Sequence, residues 1–185
     1  YATSWDDNAI TVFNRETLDN PSPADIHWLR NEGDGSFSRQ QTITTSLLTH
    51  TLASADLDGD GDLDLLAASD AEDSLLWYRN NGSGTFTVRP AISDSEGAER
   101  LLAVDMDDDG DLDVLATSRL DDIVSWYPNN GTGVFGARVV LDDSLDGADG
   151  LDAVDLDGDG VLDVVAAGYD GGELTWYPGT NPIVV

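Results

Sequence analysis

A chain of 185 residues with a formal net charge of -29, from 37 acidic and only 8 basic side chains, is repelled by nucleic-acid backbones and by anionic membrane surfaces. It has no cysteine, which excludes disulfides and thiolate metal sites, and no apolar run near the roughly 20 residues that cross a bilayer, so neither nucleic-acid binding nor direct membrane insertion is expected. With 40% hydrophobic residues, five Trp and five Tyr, it nevertheless has the apolar content of a folded domain, and its natural partners are cations.

The chain begins at Tyr1 with neither an initiator Met nor a leader and is expected to be a mature or excised segment. Tyr1-Ala2-Thr3-Ser4 is similar to Leu115-Ala116-Thr117-Ser118, which places the start inside the second strand of a unit. Trp5 and the extra residues Ile10–Pro23 have no counterpart in later units. Such non-repeated segments are where a partner surface is expected.

From there a repeat sets the pattern. Trp28, Trp77, Trp126 and Trp176 stand 49, 49 and 50 residues apart. The first three lead into Asn31-Glu32-Gly33-Asp34-Gly35-Ser36-Phe37, Asn80-Asn81-Gly82-Ser83-Gly84-Thr85-Phe86 and Asn129-Asn130-Gly131-Thr132-Gly133-Val134-Phe135. Paired glycines after Asn are hairpin chemistry, because such turns need positive φ. Within one full unit four short strands are expected, at Leu101–Val104, Asp113–Ser118, Ile123–Pro128 and Val134–Leu141, with no stretch long enough for a helix.

Four antiparallel strands recurring about every 49 residues describe the blade of an all-β propeller, which hides its sheet edges by radial repetition. A β-sandwich leaves the period unexplained. The units run approximately 1–46, 47–95, 96–145 and 146–185 and amount to about 3.75 blades of a single propeller domain or segment. Either four blades close a ring, or the chain is part of a larger propeller, or additional blades or a second copy complete it.

An acidic loop precedes the second strand of three units: Asp56-Leu57-Asp58-Gly59-Asp60-Gly61-Asp62-Leu63-Asp64, Asp105-Met106-Asp107-Asp108-Asp109-Gly110-Asp111-Leu112-Asp113 and Asp155-Leu156-Asp157-Gly158-Asp159-Gly160-Val161-Leu162-Asp163. Asp recurs at loop positions 1, 3, 5 and 9, Gly stands at position 6, and position 7 varies, so that it offers only a carbonyl. Hard oxygen ligands in this number suit Ca²⁺, about three ions in all. These are not EF-hands, because position 12 is Ala67, Ala116 and Ala166 where that motif needs a bidentate Glu. The bland alternative, three solvated acidic turns, does not account for three copies in register. Asp108 replaces Gly at position 4 and is expected to distort the second loop, and the first unit shows no such loop.

This pattern, with Trp-Tyr and Asn-Gly turns between, resembles the FG-GAP/VCBS repeat family over almost the whole chain. The resemblance implies a propeller of the kind found in integrin α subunits and some fungal lectins, with structural calcium and no shared catalytic activity. It carries the calcium ligands onto Asp56, Asp58, Asp60, Asp62 and Asp64; Asp105, Asp107, Asp109, Asp111 and Asp113; and Asp155, Asp157, Asp159, Val161 and Asp163. Asp62, Asp111 and Val161 are to act through their carbonyls.

Enzyme chemistry is not expected. Nearly every close carboxylate pair lies in a repeated loop, and His27 and His50 have no nucleophile or phosphate loop to serve. The Trp-Tyr pairs are expected to pack between sheets in preference to stacking on sugars. Asn81 and Asn130 satisfy the glycosylation sequon, although hairpin chemistry alone accounts for both. Sites of this type rely on millimolar calcium, so a secreted or cell-surface setting is expected. Function is then that of an adhesion or recognition module for a glycan or protein; the alternatives are a scaffold subunit in a larger assembly or an accessory domain of a secreted enzyme.

Overall fold

The computed structural model describes residues 2–5, 9–13, 26–44, 49–69, 73–92 and 97–180. They form four antiparallel sheets in sequence order, and no helix occurs among them. The first blade is β1 (Ala2–Trp5), β2 (Ala9–Phe13), β3 (Ile26–Asn31) and β4 (Phe37–Thr44). The second is β5 (Thr49–Ala55), β6 (Asp64–Ser69), β7 (Ser74–Asn80) and β8 (Phe86–Val88). The third is β9 (Ala98–Val104), β10 (Asp113–Ser118), β11 (Ile123–Tyr127) and β12 (Val139–Asp142), and the fourth keeps three strands, β13 (Ala148–Val154), β14 (Asp163–Gly168) and β15 (Leu174–Tyr177).

Each sheet is a meander in which neighbouring strands follow one another in sequence, the blade pattern of a propeller. The first strands line up in series: β1 contacts β5, β5 contacts β9 and β9 contacts β13. The core lies between blades, because alternate residues of a strand face opposite sides. On β6, Leu66 and Ala68 face blade three and cluster with Leu101, Val114 and Tyr127, while Leu65 and Ala67 face blade one beside Ile26. On the far side of blade three, Leu115, Val124 and Trp126 meet Leu145, Val164 and Ala166.

Three expectations are corrected. The chain starts in a first strand, not a second: β1 sits at the sheet edge, and β2 occupies the place beside the Trp strand. Ile10–Phe13, read as insertion, belong to that second strand, while residues 14–25 and the place of any loop between β1 and β2 lie outside the described residues. The fourth strand of blade three begins at Val139, not Val134. Pro128 has no N–H to continue the ladder, so Phe135 makes only a single bridge to Asn129 and the Gly136 N–H turns to the Pro128 carbonyl at 2.7 Å. In blade two Arg79 stands at that position, and the ladder runs on through Arg79 and Asn80.

The Trp-Tyr pairs pack as expected in the second and third blades, where Trp77, Tyr78, Trp126 and Tyr127 are buried. His27 is buried and hydrogen-bonded to Thr42 Oγ1 at 3.1 Å; His50 Nδ1 lies 2.8 Å from Glu99 Oε2, across to blade three.

Candidate metal centres and the blade boundaries

The first two acidic loops are wound the same way, and the third differs only in which N–H of the bend its position-1 carboxylate takes beside that of position 6. The carboxylate at position 1 accepts from the backbone N–H groups of the bend: Asp56 from Asp60 and Gly61 at 3.2 and 2.9 Å, Asp105 from Asp109 and Gly110 at 3.1 and 3.0 Å, and Asp155 from Gly158 and Gly160 at 2.7 and 3.0 Å. Position 5 then accepts from position 7, as Asp60 from Asp62, Asp109 from Asp111 and Asp159 from Val161, at 3.0, 2.9 and 2.8 Å. Gly110 at position 6 has a φ of +94°, open to Gly and costly for other residues. Asp108, expected to distort the second loop, instead takes the left-handed φ of +59° that Gly59 and Gly158 take at +70° and +80°. The loop keeps its path because Asp is among the few side chains that tolerate this region.

This winding gathers Asp56, Asp58 and Asp60 in the first loop, Asp105, Asp107 and Asp113 in the second, and Asp155, Asp157 and Asp163 in the third, with one carboxylate oxygen of each trio member within 4.8 Å of the others. Position 7 turns its side chain elsewhere: a Cβ at Gly82 would lie 2.3 Å from Asp62 Oδ2, and one at Gly131 the same distance from Asp111 Oδ1. Asp64 is not in the first trio. It is buried and accepts from the Trp77 indole N–H at 3.0 Å and the Asn80 N–H at 2.8 Å, tying the loop to its own Trp hairpin. Asp113 and Asp163 do the same work, accepting from Asn129 and Gly179 at 2.7 Å, and from Met106 and Leu156 in the loop itself at 3.0 and 2.8 Å.

The electrostatics favour a cation. The position-3 oxygens Asp58 Oδ1 and Asp107 Oδ1 are buried with no hydrogen-bond partner, and a lone buried carboxylate oxygen is costly unless a charge meets it. Burial, then the charges of Asp109 and Asp105, push the Asp107 carboxyl above its ordinary range. Burial also raises Asp113, and raises Asp64 to about 6. Asp163 goes the other way, because the Gly179 N–H bond outweighs desolvation. The oxygen-only donor set, the like-charge trios and the orphaned oxygens fit Ca²⁺, which would neutralise each loop and clamp it to its blade.

Sequence reasoning missed Arg79, which pairs with Asp58 and lies 2.9 Å from Asp60 Oδ2, bringing a positive charge to the first loop. It also missed the seal between blades two and three, where the Asn129 side-chain amide donates to the Leu57 carbonyl at 2.8 Å. The corresponding residue between blades three and four is Gly179, and there a cavity of about 330 Å³ opens, lined by Asp105, Asp107, Met106, Leu141 and Tyr177. The sequon residues Asn81 and Asn130 are exposed, their amide oxygens accepting turn N–H groups from Ser83 and Thr132 at 3.0 and 3.1 Å.

A family model of FG-GAP-like repeats matches residues 5–67, 56–116 and 105–166, each match after the first running from one acidic loop into the next unit's second strand. The chain belongs to the FG-GAP-like repeat family. No curated protein matches it. Among solved structures, this FG-GAP chain is similar to an Agrocybe aegerita lectin that recognises non-reducing terminal N-acetylglucosamine. The two share 20% sequence identity and a TM-score of 0.54, over 94% of this chain and 52% of the lectin chain. The FG-GAP chain thus spans about half the length of that structure, and the likeness is one of fold.

Proposed function

We propose that this FG-GAP chain is a non-enzymatic, calcium-stabilised recognition module that works outside the cell and binds a glycan. The observation that carries the reading is the cavity between blades three and four. It is concave, it combines the apolar faces of Met106, Leu141 and Val164 with the Tyr177 ring, and it has carboxylates at one wall. An apolar surface with a few convergent polar groups is what a pyranose needs for stacking and hydroxyl recognition. Similarity of fold to an N-acetylglucosamine-recognising lectin supports the same reading. The three acidic loops support the calcium and, through the millimolar calcium such sites rely on, the extracellular setting.

The test is a glycan array in millimolar calcium, followed by calorimetric titration of the best ligand against the Leu141→Trp variant, which fills the cavity. Saturable binding that the variant loses while its melting point holds supports the proposal. An array without binding in calcium, or binding indifferent to Leu141→Trp, overturns it.

A further inference from the structure

The outer faces of the first and fourth blades carry the two halves of a contact that joins blade one to blade two and blade two to blade three. Trp28 of blade one lies on Gly84 of blade two, and Trp77 of blade two lies on Gly133 of blade three; a Cβ added at either glycine would sit 2.1 or 2.0 Å from the indole. The Phe two residues on completes each contact edge-on, Trp28 with Phe86 at 6.3 Å between centroids and Trp77 with Phe135 at 6.2 Å. The boundaries of blades one and two and of blades two and three are thus each an indole seated on the next blade's Gly-x-Gly-x-Phe turn.

Blade four presents the indole with no facing blade among the described residues. Trp176 is 49% exposed where Trp77 and Trp126 are 2% and 0%, and Leu174 is 76% exposed where Leu75 and Val124 are fully buried. Val154 and Leu156 extend the same apolar patch. Blade one presents the turn: Gly33 and Gly35 hold φ of +81° and +89°, a Cβ at either would meet no heavy atom of the described residues within 4 Å, and Phe37 is exposed. A contiguous apolar face of this kind on a soluble domain marks an interface.

We propose that a second copy of this chain covers it. Trp176 of one copy seats on Gly35 and Phe37 of the other, and Asn31 reaches the Leu156 carbonyl as Asn129 reaches that of Leu57. Blade one of the same sequence is the occupant because, among the described residues, its turn has the matching motif and no preceding indole. Four sheets per chain bring a pair to eight blades, within the roughly four to eight of known propellers. Two copies closing head to tail make the contact twice, satisfying both exposed ends.

The mass of the full 185-residue chain in solution tests this, by sedimentation equilibrium in calcium at physiological ionic strength. The expected result is twice the chain mass, halved by Trp176→Ala and, from the opposite end, by Gly35→Val, with circular dichroism unchanged in both. A monomer at every concentration overturns the proposal. So does a dimer that both substitutions leave intact, or an open series of longer oligomers.

Discussion

The Arg79 guanidinium lies 2.9 Å from Asp60 Oδ2 and also pairs with Asp58, so the first acidic loop contains a cation supplied by its own blade. The other two loops face Pro128 and Pro178 at the equivalent position. With calcium as the proposed ion, Arg79 would compete with it for the same carboxylates. Arg79→Pro is expected to tighten calcium binding at this one site on the order of tenfold, since a unit charge a few ångströms away is removed. Titration calorimetry resolves it as a change in one of three binding steps; three unchanged steps would refute the competition.

Chelation should lower the melting point steeply. At calcium a hundredfold above Kd, each occupied site contributes about 2.7 kcal/mol, or about 5–10 °C for a domain of this size. Differential scanning calorimetry with calcium and with chelator measures the sum. A melt indifferent to chelation would show the loops to be solvated acidic turns.

Asp107→Asn separates the two sides of that balance. The neutral side chain relieves the buried, unpartnered charge beside Asp105 and Asp109, so the calcium-free melting point should rise by a few degrees. In saturating calcium the same variant should melt below the wild type. Shifts of the same sign in both conditions would contradict the assignment of Asp107 to the ion.

At the blade boundary, Gly133→Ala places a methyl 2.0 Å from Trp77 at a φ of +70°. Overpacking and backbone strain together should cost about 2–4 kcal/mol in urea unfolding. Combining it with Trp77→Ala should cost less than the sum of the two, because the clash is then gone. Strict additivity would mean that the indole does not press on this turn.

The Tyr177 hydroxyl donates to Asp142 Oδ2 at 2.6 Å, joining blade four to blade three. That bond holds the Asp142 carboxyl below its ordinary range, while burial and then the same bond raise the phenol of Tyr177 above its own. A depressed carboxyl stabilises the fold above its unfolded pKa and loses that contribution as pH falls through the folded value. A raised phenol stabilises below its unfolded pKa and loses it as pH rises through the folded one. Tyr177→Phe should therefore cost about 1 kcal/mol at neutral pH, and the cost should fade below about pH 4. Equal costs at pH 7 and pH 3 would exclude the linkage.

Period and composition alone determined the blade architecture, because a four-stranded meander needs only local alternation and turn residues, and both are written within each unit of about 49 residues. The acidic loops were legible for the same reason: a loop wound by its own backbone N–H groups draws its carboxylates from consecutive positions. What crosses between units was not. That Arg79 turns onto Asp58 and Asp60, that Asn129 seals one boundary while Gly179 leaves another open, and that Asp108 keeps the path of a glycine depend on how a hairpin folds back over its loop and how one sheet lies on the next. The same Trp, at the same place in the repeat, is core in blades two and three and surface in blade four. Burial is a property of the neighbour, which a residue's own sequence context does not contain.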